Sequence, residues 1–175
     1  AAAMSIIRDA RERGLHACSA ILYNHESPLR GAGFVTRRIS QQVALIGAGR
    51  AQTVELGSLD VRRDWGWAPD YVDGLVRMMR APEADDFILA TGQVHQLEEF
   101  LAAAFAAIGI SDWRPLVISR PDPRRKVDPS VLCGDASSAY GRLGWSHTKQ
   151  FAQIADAMVA HDLALLDDPT TLWWP

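Results

Sequence analysis

The sequence predicts an α/β fold, because apolar segments with strand character alternate along the chain with amphipathic helical segments. Strand-like runs at 15–23 and 86–91 are separated by helical patterns at 34–46 and 71–80. The strands are too few for a complete doubly wound sheet. Apolar residues make up 48% and charged residues 22% of the 175 residues, the composition of an ordinary globular domain with a real core.

Charge and cysteine content exclude several classes of function. The net charge of −3 gives no reason to expect nucleic acid or an anionic membrane as a partner. No apolar run approaches the length of a spanning helix, and no secretory pattern opens the chain. Cys18 and Cys133 lie far apart and suggest neither a disulfide framework nor a structural zinc site. A cytoplasmic location is the default expectation.

The first third of the chain predicts a helix, a strand, a loop and a second helix. A helix over 4–13 ends at Gly14, and the apolar run 15–23 predicts a strand buried on both faces. The loop 24–33 then leads into the helix predicted over 34–46. The following segment, VALIGAGRAQ, has two interpretations, a dinucleotide-binding glycine turn or a helix that ends in a glycine cap. The second is favoured, because Gln52 occupies the third glycine position and a strand-like segment follows at 53–57.

The remaining elements continue the alternation. A strand is predicted at 60–65, and Asp70 is expected to cap a helix over 71–80. The apolar positions of that helix recur at helical spacing and are expected to face inward: Val72, Leu75, Val76 and Met79. Further predictions are strands at 86–91 and 115–119 and helices at 97–108, 136–143 and 148–166. The tail Trp173-Trp174-Pro175 has no predicted role.

The loop NHESPLRGAGFVTRR, residues 24–38, carries an amide, an imidazole and three arginines around proline and glycine. Asn24 and His25 end an apolar strand, the position at which α/β proteins place ligand contacts. The alternative is that Asn24 makes an Asx turn and Ser27-Pro28 sets the bend. The loop also enters the helix at Phe34, where free backbone N–H groups favour an anion.

Arginines concentrate at three places: beside this loop (Arg30, Arg37 and Arg38), at Arg62 and Arg63, and in the proline-rich segment with Arg124 and Arg125. Guanidinium groups match phosphate oxygens bidentately, so several arginines converging on one ligand favour a diphosphate. The alternative is that these arginines are solvated or pair with carboxylates.

The sequence gives little indication of a metal site or of a nucleophile site. His95, Glu98 and Glu99 are interpreted as solvated polar groups on the first turn of a helix rather than metal ligands. No Ser-His-Asp nucleophile pattern stands out.

Five segments together resemble the GDP-mannose 4,6-dehydratase family. NHESPLRGAGFVTRRI resembles that family's NHESPRRGxxFVTRKI, and LGSLDVRRDWGWAPDYV resembles LGNLDxxRDWGHAxDYV. ATGQVHQLEEF is similar to ATGxxHSVREF, and VLCGDASSAYGRLGW to LLxGDPSKAxxxLGW. RRKVDP aligns with FRPxEP between the last two. The resemblance extends from about Gly14 to Leu166 and keeps the motifs in order.

The resemblance implies an extended short-chain dehydrogenase/reductase fold of which only the C-terminal portion is present. Residues 1–33 are expected to form the end of a Rossmann-type parallel sheet with the cofactor and substrate loop. Residues 34–175 are expected to form mostly the smaller α/β domain that binds the sugar nucleotide. The family's Rossmann core, with its glycine-rich turn, Thr/Glu pair and Tyr-x-x-x-Lys, is missing, so no catalytic residue is assigned.

Members of the family are lyases that convert GDP-mannose to GDP-4-keto-6-deoxymannose with bound NADP. The resemblance carries over two cofactor residues, two residues for the diphosphate, one for ribose and three further substrate residues. In that order they are His25 and Arg30, Arg63 and Arg125, Asp128, and Asn24, Val35 and Arg38. No metal site is implied.

Four positions depart from the family pattern. Arg38 replaces lysine, Asp128 is shorter than the family's glutamate, and Ser58 replaces asparagine. Leu29 replaces an arginine in a loop that joins subunits, which puts tetramer formation in question.

Three hypotheses follow from these observations. The chain is the substrate-binding part of a dehydratase, inactive alone, whose partner is a missing N-terminal half or a further copy in a homo-oligomer. In the second hypothesis the chain is a stand-alone sugar-nucleotide-binding or interaction module. In the third it belongs to a dehydratase or epimerase for another nucleotide sugar. The first predicts that Arg30, Arg63 and Arg125 share one cleft for a pyrophosphate-bearing ligand.

Overall fold

A computed structural model describes residues 2–120 and 131–173, which form six α-helices, eight short strands and one 3₁₀ turn. The helices are α1 Ala2–Glu12, α2 Val35–Gly47, α3 Ala68–Arg80, α4 Leu97–Ala106, α5 Ser137–Leu143 and α6 Phe151–Asp167. The strands are β1 Ser19–Leu22, β2 Asn24–Glu26, β3 Val54–Leu56, β4 Arg62–Trp67, β5 Asp86–Leu89, β6 Val94–Gln96, β7 Val117–Ser119 and β8 Val131–Leu132, and the 3₁₀ turn is Arg114–Leu116.

The strands form three small, mainly parallel groups. β1 pairs with β5 and β3 pairs with β7, both in parallel. β2 and β8 pair in parallel with β4, whereas β6 pairs with β4 antiparallel. Parallel strands joined through helices are the signature of an α/β fold, so the predicted fold class is confirmed. The short strands β2, β6 and β8 were not predicted from the sequence.

The buried apolar residues form two hydrophobic cores. The first packs α2, α4 and α6 against β3 and β4, and its buried members include Ile39, Trp65, Phe100 and Met158. The second packs α3 and α5 against β5. Its largest side chains are Tyr71, Phe87, Leu89 and Trp145. The second core draws on residues on both sides of position 33, and the domain boundary predicted there stays a prediction.

The helix predicted over 34–46 is confirmed within one residue, and so is its glycine cap. Gly49 adopts a left-handed φ of +69° directly after the helix, and its N–H donates to the Ile46 carbonyl at 2.9 Å. Strand β3 follows, so the segment is a capped helix end rather than a dinucleotide turn.

The burial predicted for two apolar segments is wrong. In β1, Ile21 and Leu22 are 48% and 41% exposed, although the run was expected to be buried on both faces. Within the described residues β1 pairs only with β5, so its other edge carries no strand.

The helix α3 turns a different face inward from the one predicted. Val72, Leu75, Val76 and Met79 are exposed, while Tyr71, Gly74 and Met78 are buried. Gly74 allows this orientation, because a Cβ there would lie 2.6 Å from a methyl carbon of Leu89.

Asp70 does not cap α3 as predicted. It lies within the first turn, and its carboxylate accepts hydrogen bonds from the backbone N–H and the hydroxyl of Thr148 at 2.9 and 2.7 Å. This contact ties the start of α3 to the segment that enters α6.

The C-terminal tail has a partial structural explanation. Trp173 packs edge-on against Trp67 with ring centroids 5.5 Å apart, whereas Trp174 and Pro175 lie outside the described residues. Across residues 2–120 and 131–173, no helix combines the length and apolar character needed to cross a membrane.

Candidate functional site

Two neighbouring parallel strands carry the centre of the candidate site. β2 pairs with β4 so that Asn24 lies opposite Trp65 and His25 lies opposite Gly66. Arg63 precedes Trp65 by two residues, so it lies one pleat, about 7 Å, along β4 from the position opposite Asn24. The sheet therefore brings together the beginnings of the NHESP and RDWG motifs, just after the carboxyl end of β1.

His25 is oriented by its own strand and by an aromatic neighbour. Its Nδ1 lies 2.8 Å from the Tyr23 carbonyl oxygen, which can only accept, so Nδ1 carries the proton in the neutral ring. The imidazole stacks on Tyr71 with centroids 4.7 Å apart. In this tautomer Nε2 is left as an acceptor that becomes a donor when the ring is protonated.

Arg30 is held by a buried carboxylate and an aromatic ring. Its Nε lies 3.4 Å from Glu26 Oε2, and its guanidinium carbon lies 3.5 Å from the centroid of the Phe34 ring. The same Glu26 oxygen accepts a hydrogen bond from Thr36 Oγ1 at 2.7 Å. Burial, the largest influence, raises the pKa of Glu26, while the Thr36 hydrogen bond and the Arg30 charge oppose that rise.

The arginines at the start of α2 have different environments. Arg38 is exposed on the first turn beside the half-buried Val35, as an anion contact would require. Arg37 is buried instead, and it forms an ion pair with Asp162 of α6 and a hydrogen bond to Ser40. For Arg37, therefore, the alternative interpretation is correct: this arginine pairs with a carboxylate.

Arg63 is 8% exposed, and its Nη1 donates to the Arg62 carbonyl oxygen at 2.7 Å. Its strand neighbours are His95 on β6 and Leu132 on β8, which enclose it on both sides. Arg125 and Asp128 lie outside the described residues. The convergence predicted for Arg30, Arg63 and Arg125 therefore stays a prediction.

Sequence reasoning missed the most heavily hydrogen-bonded carboxylate of the site. Asp64, beside Arg63, is 0% exposed and accepts hydrogen bonds from Thr91, Gly92 and Gly134. Its one signal in the sequence is a charged pair, Arg-Asp, at the start of an aromatic strand. Glu26 was missed as well, because nothing in NHESP distinguishes a buried glutamate from a solvated one.

The cluster interpreted as solvated helix-start residues is partly confirmed. Glu98 and Glu99 do lie in the first turn of α4, and Glu99 accepts the Gln96 backbone N–H at 2.9 Å. His95, however, is half-buried, stacks on Phe151 at 3.9 Å and approaches Glu99 at 2.8 Å. The described part of the chain contains no cluster of three or more His, Cys, Asp or Glu suited to a metal ion.

Comparison with known proteins gives a consistent family assignment. A family profile described as GDP-mannose 4,6 dehydratase matches residues 1–158. GDP-mannose 4,6 dehydratase 2 of Arabidopsis thaliana is 40% identical over 152 residues, which cover 87% of this chain and 40% of the relative. The GDP-mannose 4,6 dehydratase of Homo sapiens is 38% identical over 168 residues, with 87% and 45% covered.

Solved structures share the fold at low sequence identity. A structure of RMD from Pseudomonas aeruginosa complexed with NADPH matches with a TM-score of 0.80 and 19% identity, over 90% of this chain and 51% of the other. The dTDP-glucose 4,6-dehydratase of Bacillus anthracis in complex with NAD matches with a TM-score of 0.76 and 13% identity, over 99% and 51%. The chain spans about half the length of these structures and less than half of the curated relatives.

Proposed function

This chain belongs to the GDP-mannose 4,6-dehydratase family, and we propose that it is the part of such an enzyme that binds the sugar nucleotide. The complete enzyme would convert GDP-mannose to GDP-4-keto-6-deoxymannose with bound NADP. The residues described here would bind and orient the two ligands, and the proton transfers at the sugar would need groups that the chain lacks.

The position of Arg63 on β4, two residues before the partner of Asn24 on β2, is the observation that carries this proposal. Arg63 and Asn24 come from motifs about 40 positions apart, and the parallel pairing of β2 with β4 brings the two motifs onto neighbouring strands. A fixed guanidinium binds two phosphate oxygens at once, whereas an amide can donate to and accept from sugar hydroxyls. The arrangement suits a molecule with a diphosphate next to a sugar.

The start of α2 would supply a second contact to the same ligand. Phe34 is the N-cap and has no side-chain capping bond, so an anionic ligand would be a suitable acceptor for the backbone N–H groups of the first turn. Arg38 is exposed on that turn, and Val35 lies beside it. Arg125 and Asp128 remain proposed contacts to the diphosphate and ribose.

His25 and Arg30 fit a dinucleotide cofactor in chemistry. The imidazole Nε2 can accept from a ribose hydroxyl, or donate when protonated, and Arg30 carries a charge suited to phosphate. The side chain of Arg30 is 20% exposed, so it keeps an accessible surface while Glu26 fixes its Nε end. NADP, when bound, would supply the hydride chemistry, and these residues would only hold it in place.

We further propose that an N-terminal Rossmann half covers the exposed apolar surface around β1. Among the described residues β1 pairs with β5 alone, and Ile6 on α1 and the side chains of Val72 and Met79 on α3 are exposed. Parallel sheets are normally covered on both faces and extend over more than two strands. A further parallel strand added to β1 would bury this surface, and it would bring the acid–base residues that the chain lacks.

A reconstitution experiment tests the proposal. The chain is incubated with GDP-mannose and NADP, alone and together with the separately expressed N-terminal half of the Arabidopsis relative, and the 4-keto product is measured. We expect no product from the chain alone and product from the mixture. Product formed by the chain alone would overturn the claim that catalysis needs the N-terminal half. An inactive mixture whose C-terminal component also fails to bind GDP would overturn the function.

A stand-alone sugar-nucleotide-binding module is the second candidate, favoured by the first core. The buried members of that core come mainly from α2, α4, α6, β3 and β4 of this chain, and β4 also carries Arg63. This candidate predicts that the chain stays monomeric and binds GDP without gaining activity or affinity from the N-terminal half. The exposed β1 edge favours the first candidate.

A further inference from the structure

Asp64 is a buried carboxylate surrounded by donors from two other segments of the chain. Its Oδ1 accepts from the backbone N–H and the hydroxyl of Thr91, at 2.9 and 2.6 Å. Its Oδ2 accepts from the backbone N–H groups of Gly92 and Gly134, at 2.9 and 3.2 Å. Four donors on one carboxylate satisfy a charge that would otherwise be costly to bury.

These donors come from the loop after β5 and the segment after β8, so three chain segments meet at Asp64. The approach is close enough to require glycine. A Cβ at Gly134 would lie 2.3 Å from the Cβ of Ala90 and 2.9 Å from the ring of Tyr23. Gly134 is thus held between the end of β5 and the residue that precedes Asn24.

The contacts of Asp64 also join the two cores. Trp65 and Trp67, which follow it on β4, belong to the first core, while Ala90 and Leu89, which precede Thr91, belong to the second. The hydrogen bonds of Asp64 to Thr91 and Gly92 therefore connect β4, which carries residues of the first core, to the loop that leaves β5 of the second.

We propose that Asp64 is a positioning residue that aligns Arg63 with the Asn24–His25 strand. Neighbouring residues on a strand face opposite sides, so fixing the Asp64 carboxylate also fixes the side from which Arg63 projects. Gly134, which donates its N–H to Asp64, also lies against the ring of Tyr23, and the Tyr23 carbonyl oxygen orients the His25 ring. This inference rests on the proposed function, because the alignment of Arg63 with Asn24 matters only if these residues bind one ligand.

The test compares Asp64→Asn with a matched buried carboxylate, Asp162→Asn. An amide at position 64 keeps the shape but turns one acceptor into a donor facing backbone N–H groups. Asp162 is equally enclosed, and it pairs with Arg37 between α2 and α6 rather than with β4. Both substitutions are expected to lower the melting temperature, which controls for stability.

The readouts that separate the two roles are NMR and GDP binding, measured below the melting transition. Asp64→Asn is expected to shift the Arg63 Nε–H signal and the backbone amides of Asn24 and His25. It is also expected to weaken GDP binding about tenfold, the value of one charge-assisted hydrogen bond. Asp162→Asn is expected to leave these signals and the affinity unchanged.

Unchanged signals at these three positions in Asp64→Asn, with GDP affinity within about twofold of the unsubstituted chain, would reduce Asp64 to a stability role and overturn the inference. If the unsubstituted chain does not bind GDP, the proposed function fails while the NMR comparison still decides the positioning role. If Asp64→Asn does not fold, Thr91→Val removes one donor and is judged by the same shifts.

Discussion

Replacing Asp162 with alanine is expected to lower the free energy of unfolding by about 3–5 kcal/mol. Arg37 and Asp162 are 5% exposed each, and the guanidinium donates to both carboxylate oxygens. The substitution leaves a buried cation whose remaining described side-chain partner is the hydroxyl of Ser40, at 3.2 Å. The penalty is therefore that of an uncompensated buried charge rather than of one lost hydrogen bond.

For a chain of this length, the loss corresponds to a fall in melting temperature of about 6–20 °C. Chemical denaturation followed by far-UV circular dichroism measures the free energy, and a thermal scan measures the midpoint. Asp156→Ala is the matched control, because Asp156 lies exposed on the same helix. It is expected to change the free energy by about 0.5 kcal/mol or less.

The double variant Arg37→Met with Asp162→Leu replaces the buried ion pair with apolar side chains. Since both charges are then removed together, it is expected to recover most of the stability that Asp162→Ala loses. A cost below about 1 kcal/mol for Asp162→Ala would refute the reasoning, because it would mean that solvent reaches Arg37 and that the pair is a surface one.

Three further predictions concern other contacts of the fold. Burial raises the pKa of Glu26 in the folded chain, so the unfolded chain ionises first and stability falls as pH rises. Glu26→Gln removes this loss, so its unfolding free energy should improve relative to the unsubstituted chain as the pH rises above about 4, the ordinary pKa of a glutamate; a difference that does not change with pH would contradict this. Gly134→Ala should lower the free energy of unfolding by about 2 kcal/mol or more, measured by chemical denaturation, because the new Cβ overlaps Ala90. Gly57→Ala is the control, since a Cβ there meets open space, and equal losses for the two variants would refute the close approach at Gly134. Leu75→Asp should leave the melting temperature of this chain within a few degrees but reduce product in the reconstitution assay, and unchanged product would show that α3 meets no partner there.

The sequence predicted the type and order of the main elements, and the errors fall on the apolar faces of β1 and α3. Hydrophobic periodicity reports which faces avoid water, but it does not say which chain segment covers them. The face of α3 that contains Leu75 and Met79 satisfies the helical period as well as an internal face does. The face containing Gly74 packs inside this chain, because a small residue permits close approach to Leu89.

Residue chemistry predicted ligand contacts at Asn24 and His25 and anion contacts at the arginines, and the motif resemblance assigned the individual roles. The pairing of β2 with β4, which sets Asn24 opposite Trp65 and two residues from Arg63, could not be read from those residues. The supporting residues were missed for a related reason. Asp64 accepts hydrogen bonds from donors on distant segments, and nothing local in the sequence records those donors. Glu26 contacts Thr36 and Arg30 from its own loop and the following helix, but the sequence does not show that these contacts are buried.

Titration of the chain with GDP, followed by calorimetry, tests most directly whether the candidate site binds a nucleoside diphosphate. Arg63→Ala is compared with Arg50→Ala, an exposed arginine beyond the end of α2. We expect the unsubstituted chain and Arg50→Ala to bind alike, and Arg63→Ala to bind at least about tenfold more weakly, because a hydrogen bond to a charged group contributes about 1.5–3 kcal/mol. Equal affinities for all three proteins, or no heat of binding from the unsubstituted chain at millimolar GDP, would contradict the account.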